Sequence, residues 1–90
     1  MCQLDKTMKI PNENRQREKF LFFLKEMRQK RGITQVELAE KLGVPQSFIS
    51  KYESGERQLD ILELREICQR FGISFDNFCR QLEEKLNETK

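Results

Sequence analysis

The chain is predicted to be all-α, a single domain of five short helices, and three observations carry that expectation. Ninety residues are long enough for one core but not two. Charged residues make up 36% and hydrophobic ones 37%, with only four Gly and two Pro, a balance that favours helices over short strands and turns. The glycines also punctuate the chain in one grammar. "RGIT", "LGVP" and "FGIS" each read as a helix end, Gly, a β-branched aliphatic, then a residue suited to starting a helix. Gly55 in "ESGE" ends a further stretch.

Helix 1 is expected from about residue 14 to 31, with Phe20, Phe23, Leu24 and Met27 as its apolar stripe. Helix 2 follows from 34 to 42, opened by Thr34 and Glu37 as a capping box, with Val36, Leu38, Ala39 and Leu42 inward. Helix 3 runs from 45 to 54, where Pro45 loses nothing by lacking an N–H in the first turn. Asp60 with Glu63 opens helix 4, from 60 to 71, carrying Ile61, Leu64, Ile67, Cys68 and Phe71. Ser74 opens helix 5, from 74 to 87, with Phe75, Phe78, Cys79, Leu82 and Leu86. Residues 1–13 have weak periodicity and several charges, which predicts a flexible N-terminal arm ahead of one helical domain over 14–90.

Several function classes are excluded by composition. The most apolar run, "FLFFL", is far too short to span a bilayer, and no signal-peptide pattern opens the chain, so a soluble cytoplasmic protein is expected. There is no His, and Cys2, Cys68 and Cys79 have neither framework nor metal-ligand spacing. Reduced thiols are expected, with Cys68 and Cys79 in the core, no metal site and no cofactor. Catalysis is not expected, for want of a nucleophile elbow, a phosphate-binding Gly-rich loop or a base beside a cysteine. The net charge of +2 conceals +5 on residues 1–31, −1 on residues 32–58 and −2 on residues 59–90. That asymmetry points to a polyanion meeting the N-terminal half.

The stretch "PQSFISKYE" carries the functional reading. Wound at roughly 100° per residue, it places Gln46, Ser47, Ser50 and Lys51 on one arc and Phe48, Ile49, Tyr52 and Glu53 on the other. Helices 2 and 3 are joined only by "GVP", which forces a sharp angle and makes residues 34–54 a helix-turn-helix. Ala39 leaves room for helix 3 to approach, and Ile49 is placed to fill the gap. Phe48, on the edge of the apolar arc, either covers helix 2 or meets a thymine methyl, and packing is the favoured reading. Glu53 sits on the inner arc, where an unpartnered carboxylate would be costly.

"TQVELAEKLGVPQSFISKYESGE" resembles the Cro/repressor-type helix-turn-helix, also called the xenobiotic-response-element family. Thr34, Gln35, Leu38, Ala39, Gly43, Val44, Ile49, Ser50, Tyr52, Glu53 and Gly55 match its pattern, and the likeness covers roughly residues 17 to 82. The resemblance implies a λ-repressor-like domain whose helix 3 reads the major groove of double-stranded DNA. Gln46, Ser47, Ser50 and Lys51 would then contact bases, and Gln35 and Arg57 phosphates, with Lys9, Arg15 and Arg17 weaker candidates. Gln35 would also brace Gln46. It further implies a structural salt bridge between Arg28 on helix 1 and Glu53. Such modules bind palindromic operators as homodimers, here through a helix 5 surface of Phe75, Phe78, Leu82 and Leu86. A transcriptional regulator is expected, a repressor or autoregulator of its own operon. The competing class is an adaptor that has kept the fold and binds protein.

Overall fold

The chain's starts and stops come from its own side chains. In a computed structural model, which describes residues 13–88, five helices follow one another: α1 (Glu13–Lys30), α2 (Gln35–Leu42), α3 (Gln46–Ser54), α4 (Ile61–Phe71) and α5 (Phe75–Asn87). No strand occurs among the described residues. Of the arm expected over residues 1–13, residues 1–12, with Cys2 and Lys9, lie outside them, whereas Glu13 belongs to α1.

Thr34 and Asp60 both complete capping boxes. Each side chain accepts from the backbone N–H of Glu37 or Glu63, and that glutamate accepts from the cap's own N–H. Ser74 caps α5 through the Asn77 N–H. These residues and Pro45 stand just outside their helices, so helices 2 to 5 each begin one residue later than expected. At the other ends the chain must turn left-handed. Gly43 takes φ +74°, closing α2 with its N–H directed to Ala39 and Glu40 carbonyls, a conformation that disfavours any residue with a Cβ.

The core gathers Phe23, Leu24 and Met27 of α1, Leu38 and Ala39 of α2, Ile49 and Tyr52 of α3, Ile67, Cys68 and Phe71 of α4, and Phe78 of α5. Phe23 stacks on Phe78 at 5.4 Å between ring centroids, which fixes α5 against α1. α2 packs on both α3 and α4, and α1 spans the gap between α3 and α5.

Three residues expected in the core are not there. Val36 is 47% exposed and Ile61 66% exposed, each in the first turn of its helix, outside the buried cluster. Cys79 is exposed on α5, whereas Cys68 is fully buried. Phe78, expected on a dimer surface, is completely buried, which removes it from any contact with a second copy. Phe75 and Leu82 are partly buried and pack against the core, and Leu86 is half-buried.

Basic residues finish helix ends across the fold. Arg31 Nε donates to the Phe71 carbonyl at 2.9 Å and Arg70 Nε to the Lys41 carbonyl at 2.9 Å. Lys19 Nζ donates to the Lys85 carbonyl at 3.3 Å. A cation at these carbonyls offsets the negative end of the helix dipole. Part of the positive charge on residues 1–31 therefore serves the fold rather than an external polyanion.

The buried hydroxyl of Tyr52 has no protein hydrogen-bond partner. Burial, reinforced by the neighbouring Glu53 carboxylate, raises its pKa far above the ordinary 10.0. Burial also pushes the Cys68 thiol up to about 12. Both groups stay neutral in the folded state where the unfolded chain ionises. Their contribution is complete below their ordinary pKa values of 9.0 and 10.0 and is lost as pH rises beyond them. Thermal unfolding of Tyr52→Phe should therefore match wild type at pH 7 within about 0.5 kcal/mol. Above pH 10 the variant should lose less stability than wild type.

Candidate nucleic-acid interface

Four residues on α3 face outward together. Gln46, Ser47, Ser50 and Lys51 are all exposed, while Ile49 and Tyr52, on the opposite arc, are fully buried. The buried pair anchors α3 to the body, which leaves the polar arc as a continuous surface. Ser50 Oγ turns to the Ser47 carbonyl at 3.4 Å, and no side chain caps the α3 N-terminus. N–H groups of its first turn therefore remain free beside Gln46.

Behind this arc runs a chain of polar contacts from α1 to the tip of α3. Arg28 grips Glu53 with two hydrogen bonds, Nε to Oε2 at 2.8 Å and Nη2 to Oε1 at 3.1 Å. Its Nη1 donates to the Ile33 carbonyl at 2.8 Å. The pair is nearly water-free, with side chains 9% and 4% exposed, and its lone pairs and protons are well used. Gln35 Nε2 then donates to the same Glu53 Oε1 at 2.9 Å, and Gln35 Oε1 accepts from Gln46 Nε2 at 3.2 Å.

The direction of that chain has a consequence for Gln46. A carboxylate can only accept, so Gln35 must turn its NH₂ to Glu53 and its carbonyl to Gln46. Gln46 must then spend one N–H on Gln35. What remains at its tip is one N–H and one carbonyl oxygen, the donor–acceptor pair that matches adenine N7 and N6 in a major groove. The link from Gln35 to Glu53 was not anticipated from sequence. It depends on an α2–α3 contact that no local pattern encodes.

Arg57 is more engaged than a free phosphate ligand. It forms a bidentate pair with Glu63, Nη1 to Oε1 at 3.0 Å and Nη2 to Oε2 at 2.9 Å, and Nη1 also meets the Gln58 carbonyl at 3.2 Å. Its guanidinium lies 4.3 Å from the centre of the Phe48 ring. The hydrogen bond to Arg57 holds the Glu63 carboxyl below its ordinary value of 4.5, and the Asp60 N–H adds to the effect. Arg57 keeps its Nε–H and one Nη2 proton for an outside partner, and its side chain is 40% exposed. Phe48 packs edge-on to Tyr52 at 6.0 Å and is half-buried. Arg15 is exposed and Arg17 half-buried on α1. Among the described residues no group of His, Cys, Asp and Glu is arranged to hold a metal ion, and no helix is long and apolar enough to cross a membrane.

Five helices, a tight α2–α3 turn and an outward polar arc on the second of that pair define a helix-turn-helix protein. The chain belongs to the xenobiotic-response-element type of that family of transcriptional regulators, for the helix-turn-helix family model matches residues 24–78. It is similar to the HTH-type transcriptional regulator ImmR of Bacillus subtilis, 40% identical over 67 residues, which is 73% of this chain. It spans 53% of that protein's length and 13% of another curated regulator that it matches. Among solved structures it resembles an XRE-family like protein from Pseudomonas syringae pv. tomato, with 42% identity, a TM-score of 0.74, and coverage of 79% of this chain and 87% of that one. It also resembles the restriction-modification controller protein C.Esp1396I, at 30% identity and a TM-score of 0.72, covering 79% and 93% of the two chains. That controller has been solved as a nucleoprotein complex as well.

Proposed function

We propose that this chain binds double-stranded DNA in a sequence-specific manner, as a repressor or autoregulator, with the first turns of α3 in the major groove. The single observation that carries the reading is the braced Gln46. Its tip is held by Gln35, itself fixed by the buried Arg28–Glu53 pair, and presents one donor and one acceptor outward. A residue held this way loses little freedom when it meets a base, which is what discrimination between bases requires. Ser47, Ser50 and Lys51 extend the reading surface one turn along the groove. Lys51 suits guanine or phosphate, and the serines suit either.

Phosphate contacts come from the α2 N-terminus at Gln35, where free N–H groups favour an anion, and from the outward protons of Arg57. Short modules of this geometry read few base pairs, so two copies would occupy a palindromic site whose half-sites lie about one helical turn apart. Cytoplasmic location accords with such a role, and the chemistry needs neither metal nor cofactor.

The salt dependence of binding tests this reading against the protein-binding adaptor. A groove-reading dimer should lose affinity with rising salt at a log–log slope steeper than about −3, since each neutralised phosphate contributes about −0.9. A slope near zero would return the chain to the adaptor class.

A further inference from the structure

Arg57 is held from several sides. Its backbone N–H donates to the Lys51 carbonyl at 3.1 Å, which pins the residue to the C-terminal end of the reading helix. Its guanidinium lies 4.3 Å from the centre of the Phe48 ring, and Nη1 and Nη2 close on the two oxygens of Glu63 at 3.0 and 2.9 Å. Nη1 spends its other proton on the Gln58 carbonyl at 3.2 Å. A guanidinium carries five N–H donors in one plane. The two left over, Nε–H and the second Nη2 proton, lie along one edge and run parallel, an arrangement that fits two oxygens of one phosphate.

Helix capping does not account for the pairing. Glu63 meets the Asp60 N–H with Oε1 alone, at 3.1 Å, and leaves Oε2 to Arg57. Glu37 fills the same place in the α2 capping box and is in no ion pair among the described residues. Nor does the Arg57–Glu63 pair add much stability, with side chains 40% and 31% exposed to water. What the carboxylate does is fix a long, flexible side chain in one orientation, with its unused edge free.

We infer that Glu63 is a positioning residue for DNA binding, which aims the Nε–Nη2 edge of Arg57 at a single phosphodiester group beside α3, an assignment that rests on the DNA-binding reading above. A carboxylate near a polyanion would by charge alone oppose binding. Here its charge is balanced within the ion pair, and the gain is a guanidinium that gives up little rotamer freedom on meeting DNA.

A double-mutant cycle tests this, with Glu63→Gln, Arg57→Ala and the two combined. Each is titrated against the best duplex recovered from a random pool and against an unrelated duplex. Gln serves in a capping box as Glu does, so Glu63→Gln should fold as wild type. The change removes a negative charge, yet it should weaken binding about two- to tenfold, the range for leaving one long side chain to be ordered by the ligand. The loss should be the same for both duplexes, because a phosphate contact carries no base information. Arg57→Ala should weaken binding at least as much, and adding Glu63→Gln to it should cost nothing further.

Unchanged or tighter binding by Glu63→Gln overturns the inference, for Glu63 would then be neutral or a restraint on Arg57. Equal weakening with and without Arg57 also overturns it, since Glu63 would act through the fold and not through the guanidinium. A changed preferred sequence would place Arg57 on a base edge and contradict the phosphate assignment. Each of those results leaves the DNA-binding reading standing. Failure of wild type to enrich any duplex would sink that reading and the role of Glu63 with it.

Discussion

Arg28→Ala is expected to cost about 3–5 kcal/mol of folding stability, the range for breaking a buried ion pair by removing one partner. The magnitude follows from what is left behind. Glu53 stays in a site where its side chain is 4% exposed, with Gln35 as its remaining side-chain partner, and the Ile33 carbonyl also loses its donor. Thermal unfolding should show the loss as a melting temperature lower by more than about 10 °C, at roughly 4–8 °C per kcal/mol for a domain of this size. Removing both charges in Arg28→Met/Glu53→Leu should be much milder, because no charge is then buried alone. A wild-type melting curve for Arg28→Ala would mean that the pair has no structural role. The double variant also separates stability from reading. It should fold and still bind DNA less selectively, because Gln35 no longer has the acceptor that fixes its orientation.

Gln46→Ala should weaken binding to the best duplex by about 1–3 kcal/mol, roughly a factor of ten to one hundred, and relax the preference at one base pair. The slope of affinity against salt should not move, because Gln46 neutralises no phosphate. Lys51→Ala should differ in kind where Lys51 meets phosphate, weakening all sequences alike and flattening the slope by about one. Unfolding should report wild-type stability for Gln46→Ala, since the side chain is exposed and its contact to Gln35, at 3.2 Å, is made at the surface. Equal affinity of wild type and Gln46→Ala for every duplex would remove Gln46 from the reading surface.

Most of the fold was legible in local chemistry. Capping boxes at Thr34 and Asp60 and left-handed glycines at Gly43 and Gly72 fix helix ends within one residue, because each acts over a single turn. Periodicity also located the inner stripes of α1 and α4, but it failed in first turns. Val36 and Ile61 keep the right spacing yet stay exposed, each in a helix's first turn that the core does not cover. Cys79 shares a stripe with Phe78 by sequence, but only one of the two can point at α1.

At the candidate site, the pattern reached individual residues but not their links. Arg28 and Glu53, 25 positions apart, are joined by the family's motif as much as by any physical rule. Gln35 to Glu53, Arg57 over Phe48, and Arg31 at the end of α4 were not legible. Each requires knowing how two helices cross, and that depends on the packed core rather than on any one segment.

Whether the polar arc of α3 reads base edges is decided by parallel selections from one random duplex pool. Wild type and Gln46→Ala would be run together at near-physiological salt. Wild type should yield a palindromic consensus and the variant the same consensus with one position per half-site no longer specified. Identical consensus sequences for the two proteins, or no enrichment with wild type, would contradict base reading by that arc.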